Sequence, residues 1–321
     1  MKLQMMLAVA GAVVVIVVAG MAWRPLLPIN LLVAIDSRRT ADGAPYGSSP
    51  RQVYDLYRPD ANTRPSAGWP LVVFIYGGSW NRGERGDYRF VGEALAQRGA
   101  MAMAIDYRLY PEVMYPEFIR DSAAAVALAL TQAQAWGADP KRVLVMGHSA
   151  GGYNAAMVAL DPRWLAEVGH SPNELAGWIG LAGPYEFLPI TNPEAQLAFN
   201  HPNVPLDSQP IHHVAGTHLP ALLLVAHKDR LVNPQRNSAQ LAAAIQATGA
   251  TATTREFDRL NHLTLVGAIA RPLRWLAPVL DDVMDFIESQ ATVRASPSPY
   301  RLLTQRPQRV GLAGSSPTSA R

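Results

Sequence analysis

The sequence predicts an α/β fold: a mostly parallel, doubly wound sheet flanked by helices, with a cap or lid insertion at one end. Three observations carry this. Apolar runs of strand length recur at residues 71–76, Met101–Ile105, 143–147, Gly177–Leu181 and Ala221–Ala226, and such runs suit strands covered on both faces. Stretches of helical length separate them, as in a sheet built from crossover units. At residues 143–152 a strand runs directly into Gly147-His148-Ser149-Ala150-Gly151-Gly152, with a small-residue helix, Ala150–Leu160, behind it. That is the strand–turn–helix setting in which G-x-S-x-G exposes a serine at the end of a sheet.

Taken in order, the chain begins with an apolar stretch. Residues 5–22 hold no charge and no proline, just long enough for a short or tilted span, and a weak small-x-small cleavage site ends it. Residues 1–22 therefore read as a signal peptide or membrane anchor, which implies an exported or membrane-anchored, extracytoplasmic protein. Pro25, Pro28, Pro45 and Pro50 make residues 23–50 a linker that packs partly on the domain. Residues 52–58 alternate like an early strand, and 59–70 form a surface turn. The apolar strand 71–76 ends in Gly77-Gly78-Ser79-Trp80. A helix at 88–98, the strand Met101–Ile105 and a helix at Glu117–Trp136 lead to the serine turn. Beyond it come the strands Gly177–Leu181, Ala221–Ala226 and Ala252–Phe257, with helices at 234–248 and 280–289. One domain, residues 51–290, contains them all.

Between Pro184 and Pro220 the rhythm breaks, with five further prolines inside the stretch. A long connection between two sheet strands reads as a lid or binding loop. Its Tyr185 and Phe187, with Trp80, are the candidate substrate-binding aromatics, though each suits the core equally well. After 290 the composition turns to Ser, Pro, Thr, Arg and Gly, which predicts a disordered tail over 291–321. That tail carries five arginines and no acid. The net charge of +3 thus leaves the folded part slightly acidic, which argues against a nucleic-acid partner. The absence of cysteine excludes disulfides, thiolate metal sites and cysteine nucleophiles.

A serine needs a base to take its proton, usually histidine. Of the eight histidines, His227 and His262 follow strands, where chemistry gathers on a doubly wound sheet. His148 lies within the turn, its side chain directed away from the serine's side. Asp229 also follows a strand, and is two positions from His227, too close to orient its far nitrogen. With His262 as base, the order Ser149, Asp229, His262 is that of the α/β-hydrolases. Asp258 is the rival acid, and both Asp229 and His262 also suit ordinary loop roles. For an oxyanion hole, Ala150 N–H supplies one donor, and the glycine-rich turn at Gly78 and Ser79 the second.

Tyr76-Gly-Gly-Ser-Trp80, Asp106-Tyr-Arg-Leu-Tyr-Pro-Glu112, Gly147-His-Ser-Ala-Gly151 and the late Asp229 and His262 resemble the α/β-hydrolase carboxylesterases and lipases. The likeness is to the branch with an HGG loop, including hormone-sensitive-lipase-like and arylformamidase-like enzymes, and covers about residues 50–290. It implies Ser149 as nucleophile, His262 as base and then acid, Asp229 as orienter, and Gly78, Ala150 and Ser79 as oxyanion donors. The family's usual histidine is replaced by Tyr76. Asp106, Arg108 and Asp121 are expected to fix loops. The expected function is a serine carboxylesterase acting on small to medium esters, without cofactor or metal. An arylformamidase or other amidase of the same fold, and a catalytically silent, membrane-tethered fold used for binding, are the alternatives.

Overall fold

The computed structural model describes residues 38–295 except Thr217, together with Leu26 and Asn30, and side chains as far as residue 290. The predicted anchor and most of the arginine tail lie outside the described residues. Among the described residues no helix is long and apolar enough to cross a membrane.

The elements are β1 (Arg39–Pro45), β2 (Val53–Tyr57), β3 (Trp69–Ile75), α1 (Arg89–Gln97), β4 (Met101–Ile105), α2 (Glu117–Trp136), β5 (Ala138–His148), α3 (Ala150–Leu160) and α4 (Pro162–Ala166). They continue with β6 (Gly177–Leu181), α5 (Pro193–Ala198), β7 (Ala221–Ala226), α6 (Gln240–Ala247), β8 (Ala252–Phe257), α7 (His262–Gly267) and α8 (Val279–Ala295). The strands form one eight-stranded sheet in the order β1-β2-β4-β3-β5-β6-β7-β8. β3 to β8 run parallel, and β1 and β2 add antiparallel strands at one edge.

Every residue of β3, β4, β6 and β7 is buried, as their unbroken apolar runs require. α3 is likewise buried along its whole length, and its glycines and alanines let it lie close under the sheet. α2 stops at Gly137, whose φ of +92° ends the helix without strain. The outer strand β8 alternates polar residues and leaves Arg255 and Glu256 exposed, charges that discourage a further strand from pairing there.

Two boundaries differ from the sequence-based expectation. The sheet begins at Arg39, inside the expected linker. β1 escapes notice because Arg39-Thr-Ala-Asp-Gly-Ala-Pro45 is polar and half-exposed on an outer edge, so it shows no apolar period. At the other end α8 runs to Ala295, past the expected domain boundary at 290. The 184–220 insertion is present, and contains α5 and short 3₁₀ turns.

Because β4 lies on one side of β3 and β5 on the other, the chain reverses direction across the sheet between β3 and β5. A crevice opens beyond strand carboxyl ends at such a switch. The Gly77 turn follows β3, Ser149 follows β5, Asp229 follows β7 and His262 follows β8, all at that same end.

Candidate active site

Ser149 sits at φ 55°, ψ −122°, a conformation that L-residues rarely adopt and that the surroundings must impose. A Cβ at Gly151 would lie 2.1 Å from the Ile75 carbonyl oxygen, so only glycine permits this close crossing of turn and strand. The serine side chain makes no capping bond to its helix. Its hydroxyl lies 2.8 Å from His262 Nε2 instead.

His262 opens α7. Asn261 caps that helix through Leu263 N and Thr264 N, and Thr264 bonds back to Asn261 N, which fixes where the imidazole starts. Its Nδ1 is 2.7 Å from Asp229 Oδ2. The other Asp229 oxygen accepts the N–H groups of Leu231 and Val232, each at 2.9 Å. Burial alone would raise the Asp229 carboxyl, but the bond to His262, that ring's charge and the two N–H bonds hold it below the usual carboxylate value. The rivals lie elsewhere: His227 is exposed and pairs with Glu256, and His262 bonds to Asp229, not Asp258. The structure therefore brings Ser149, His262 and Asp229 into one hydrogen-bonded line.

The loop after β3 passes directly beside the serine. A Cβ on Gly77 would stand 2.7 Å from Ser149 Cβ. Gly78 takes φ +147°, and Ser79 and Trp80 follow at φ 51° and 59°, two consecutive non-glycine residues in left-handed backbone. The Gly78 carbonyl accepts from Asn81 N and Arg82 N. Among the described residues, the N–H groups of Gly78 and Ser79 donate to no backbone carbonyl. Ala150 and Ser79 line the cavity at the serine, while Gly78 itself is set back from it.

Tyr76, at the start of the Gly-Gly loop, is fully buried, and its ring stacks between Tyr88 and Tyr107. Its hydroxyl accepts from Arg51 Nη2 at 2.5 Å, and the same guanidinium donates to the carbonyls of Gly83 and Tyr107. Arg51 thus grips both ends of the loop. Asp106 and Asp121 are structural as expected: Arg85 bonds Asp55 and Asp106, and Arg108 binds Asp121 through both oxygens.

A cavity of about 510 Å³ opens at Ser149 and His262. Trp80 and Phe187 line it, with Ile190, Leu231 and Val232. Trp80 is otherwise buried against Phe118, Tyr153 and Phe199, and donates to Asn154 Oδ1 at 3.0 Å. Tyr185 does not line the cavity. Its ring is fully buried against the backbone of Gly180 and Gly183, edge-on to Trp178, so it belongs to the core and not, as the sequence suggests, to substrate binding.

The rim holds polar residues that no sequence motif singles out. Arg82 pairs with Glu194 of α5, and Arg236 pairs with Glu186 and the Leu188 carbonyl. Asn237 Oδ1 accepts the N–H groups of Tyr185 and Glu186. The insertion is thereby clipped to the serine-side loop at one point and to the segment after β7 at another. Nothing in their sequence spacing marks these partners, which meet only when the insertion folds back. Among the described residues no group of three acids or histidines is placed to hold a metal ion.

A family model described as BD-FAE matches residues 54–245. The isoprenylcysteine alpha-carbonyl methylesterase ICME of Arabidopsis thaliana is 28% identical over 290 residues, covering 83% of this chain and 66% of its own. The esterase LipC of Mycobacterium tuberculosis is 30% identical over 206 residues, 58% of this chain and 50% of its own. The chain spans between 50% and 66% of the lengths of the first curated relatives it matches. Among solved structures, a phosphonate-inhibited esterase B from Lactobacillus rhamnosis superposes with a TM-score of 0.69 at 22% identity, over 87% of this chain and 96% of that one. This last likeness establishes the α/β-hydrolase fold.

Proposed function

Because the chain belongs to the BD-FAE family, we propose that it is a serine carboxylic ester hydrolase acting on small to medium esters through an acyl-enzyme. The observation that carries this reading is the line from Ser149 Oγ to His262 Nε2 at 2.8 Å and from His262 Nδ1 to Asp229 Oδ2 at 2.7 Å, at the floor of a cavity. The names of relatives such as the methylesterase ICME and the esterase LipC support an ester as the bond cleaved.

In this mechanism His262 Nε2 accepts the serine proton as Ser149 Oγ bonds to the ester carbonyl carbon. Asp229, ionised, holds the Nδ1 proton and stabilises the imidazolium that forms. Negative charge gathers on the former carbonyl oxygen, opposite the N–H groups of Ala150 and Ser79, the two residues of the turn and elbow that line the cavity. Each such donor is typically worth about 3–4 kcal/mol in the transition state. The C–O bond to the alcohol breaks, and His262 returns its proton to that oxygen. Water, deprotonated by His262, then attacks the acyl carbon, the bond to Ser149 Oγ breaks to release the acid, and His262 returns the proton to Oγ. The strained elbow keeps Oγ above the sheet throughout, so no rearrangement of the nucleophile is needed.

The test is hydrolysis of p-nitrophenyl acetate and butyrate by the purified protein, with labelling by a fluorophosphonate. Wild type should turn over and label, and Ser149→Ala should do neither. Retention of near-wild-type turnover by Ser149→Ala would overturn the assignment.

A further inference from the structure

Of the described histidines only His148 and His262 are buried, and the mechanism uses only one of them. His148 points beneath the elbow. Its Nε2 lies 3.0 Å from the backbone carbonyl oxygen of His262, and its Nδ1 lies 3.1 Å from the Tyr88 hydroxyl. A carbonyl can only accept, so the proton is on Nε2. In the neutral ring Nδ1 is then bare, and Tyr88 donates to it. The donations run one way, from Tyr88 to His148 Nδ1 and from His148 Nε2–H to the carbonyl of His262.

We propose that His148 is a positioning residue for His262, and that Tyr88 holds it in the tautomer the His262 carbonyl selects, so that Tyr88, the elbow and the base are held as one hydrogen-bonded unit. This rests on the reading of Ser149 as nucleophile and His262 as base. The two imidazoles lie 4.9 Å apart between ring centroids, so the neighbour of the base must stay uncharged while the base carries the serine proton. The network enforces that. A protonated His148 would present an N–H to Tyr88, and the phenol proton would lose the Nδ1 acceptor that the neutral ring gives it. Burial, with His262 adding to it, pushes His148 down to about 3. The groups facing it are Tyr88, His262 and, more distantly, Asp229. The anchored carbonyl fixes the first turn of α7, from which the base reaches both Asp229 and Ser149.

Tyr88→Phe tests this in the full chain, since the ring keeps its packing on Phe74, Tyr76 and Phe90. Its kcat on p-nitrophenyl butyrate should fall about 10- to 100-fold with KM within about twofold, the size expected when a reacting group is slightly misplaced. His148→Gln, which keeps a donor and an acceptor, should retain more activity than His148→Phe. In wild type, ¹⁵N shifts of His148 should show Nε2 protonated and Nδ1 bare across neutral pH. A Tyr88→Phe enzyme with kcat within twofold of wild type, or a His148 that carries its proton on Nδ1, would overturn the proposal while leaving the esterase reading intact. A wild type inert to both esters and fluorophosphonate would overturn both. If His148→Phe fails to fold, Tyr88→Phe and the ¹⁵N shifts decide.

Discussion

Replacing Asp229 by asparagine is the sharpest test of how the base is held, because the structure dictates which way the amide must turn. One carboxylate oxygen accepts two backbone N–H groups, from Leu231 and Val232, and the other faces His262 Nδ1. In Asp229→Asn the amide oxygen must stay with the two N–H donors. The amide NH₂ then points at Nδ1, which has to accept. The imidazole proton moves to Nε2, 2.8 Å from Ser149 Oγ, and the ring can no longer take the serine proton. Turning the amide over would restore the active tautomer, but it sets NH₂ against two backbone donors at about 1–3 kcal/mol each. The charge that stabilises the imidazolium is lost in either orientation. Together these effects predict a fall in kcat of about 10⁴-fold, or about 5.4 kcal/mol. The assay is steady-state hydrolysis of p-nitrophenyl butyrate, with KM expected within a few-fold and a circular-dichroism spectrum like that of wild type. Asp258→Asn is the control and should match wild type within about twofold, since that carboxyl makes no bond to the base. An Asp229→Asn enzyme keeping more than about a tenth of kcat, a loss below about 1.4 kcal/mol, would refute the reasoning.

Burial and packing dictate three more outcomes. The unfolded His148 imidazole gains a proton as pH falls below its ordinary 6.5, whereas the folded one resists until about 3. Its contribution to stability is therefore complete above 6.5 and declines by up to about 1.4 kcal/mol per pH unit on acidification through that window. Urea unfolding of wild type and His148→Gln from pH 7 to pH 4 should show the slope shrink in the variant, and equal slopes would count against it. Trp80→Ala removes an indole only 3% exposed and leaves Asn154 Oδ1 without its donor, so the loss of stability should be at least about 3–5 kcal/mol by urea denaturation. Tyr185→Phe should leave kcat and KM within about twofold, because that ring lines no part of the cavity, while Phe187→Ala should raise KM for butyrate by about 10-fold, the scale of one lost apolar contact of about 1.4 kcal/mol.

The central strands were legible because each is buried on both faces and so carries an unbroken apolar run, and the elbow because its turn admits only small neighbours. Ser149, Asp229 and His262 could be ordered from their positions after strands, since a parallel sheet gathers those ends. The sequence shows far less where pairing replaces pattern. β1 is an outer strand with polar residues on it, and nothing in its periodicity separates it from a linker. Tyr185 and Phe187 stand two residues apart in the same insertion, yet one fills a slot at Gly180 and the other faces the cavity. Such a difference is set by the path of the backbone, which composition does not record. Arg82 with Glu194 and Arg236 with Glu186 are likewise pairs made by a loop folding back, at separations that no local signal spans.

Tyr76 shows how the chain secures its serine-side loop from outside the loop. A phenol buried between Tyr88 and Tyr107 is held well above its usual pKa, chiefly by burial, and so keeps its proton. As a neutral group it can accept from Arg51 without becoming an ion itself. The guanidinium, not the phenol, then does the tying, because its fork reaches Gly83 beyond the loop and Tyr107 after β4 together. Arg51 lies just before β2, in the antiparallel edge that the sequence alone puts at the margin of the domain. Arg85 joins the same edge to the loop through Asp55 and Asp106. The edge strands thus take on the support of the loop, and residues 39–57 belong to the support of the site as much as to the sheet.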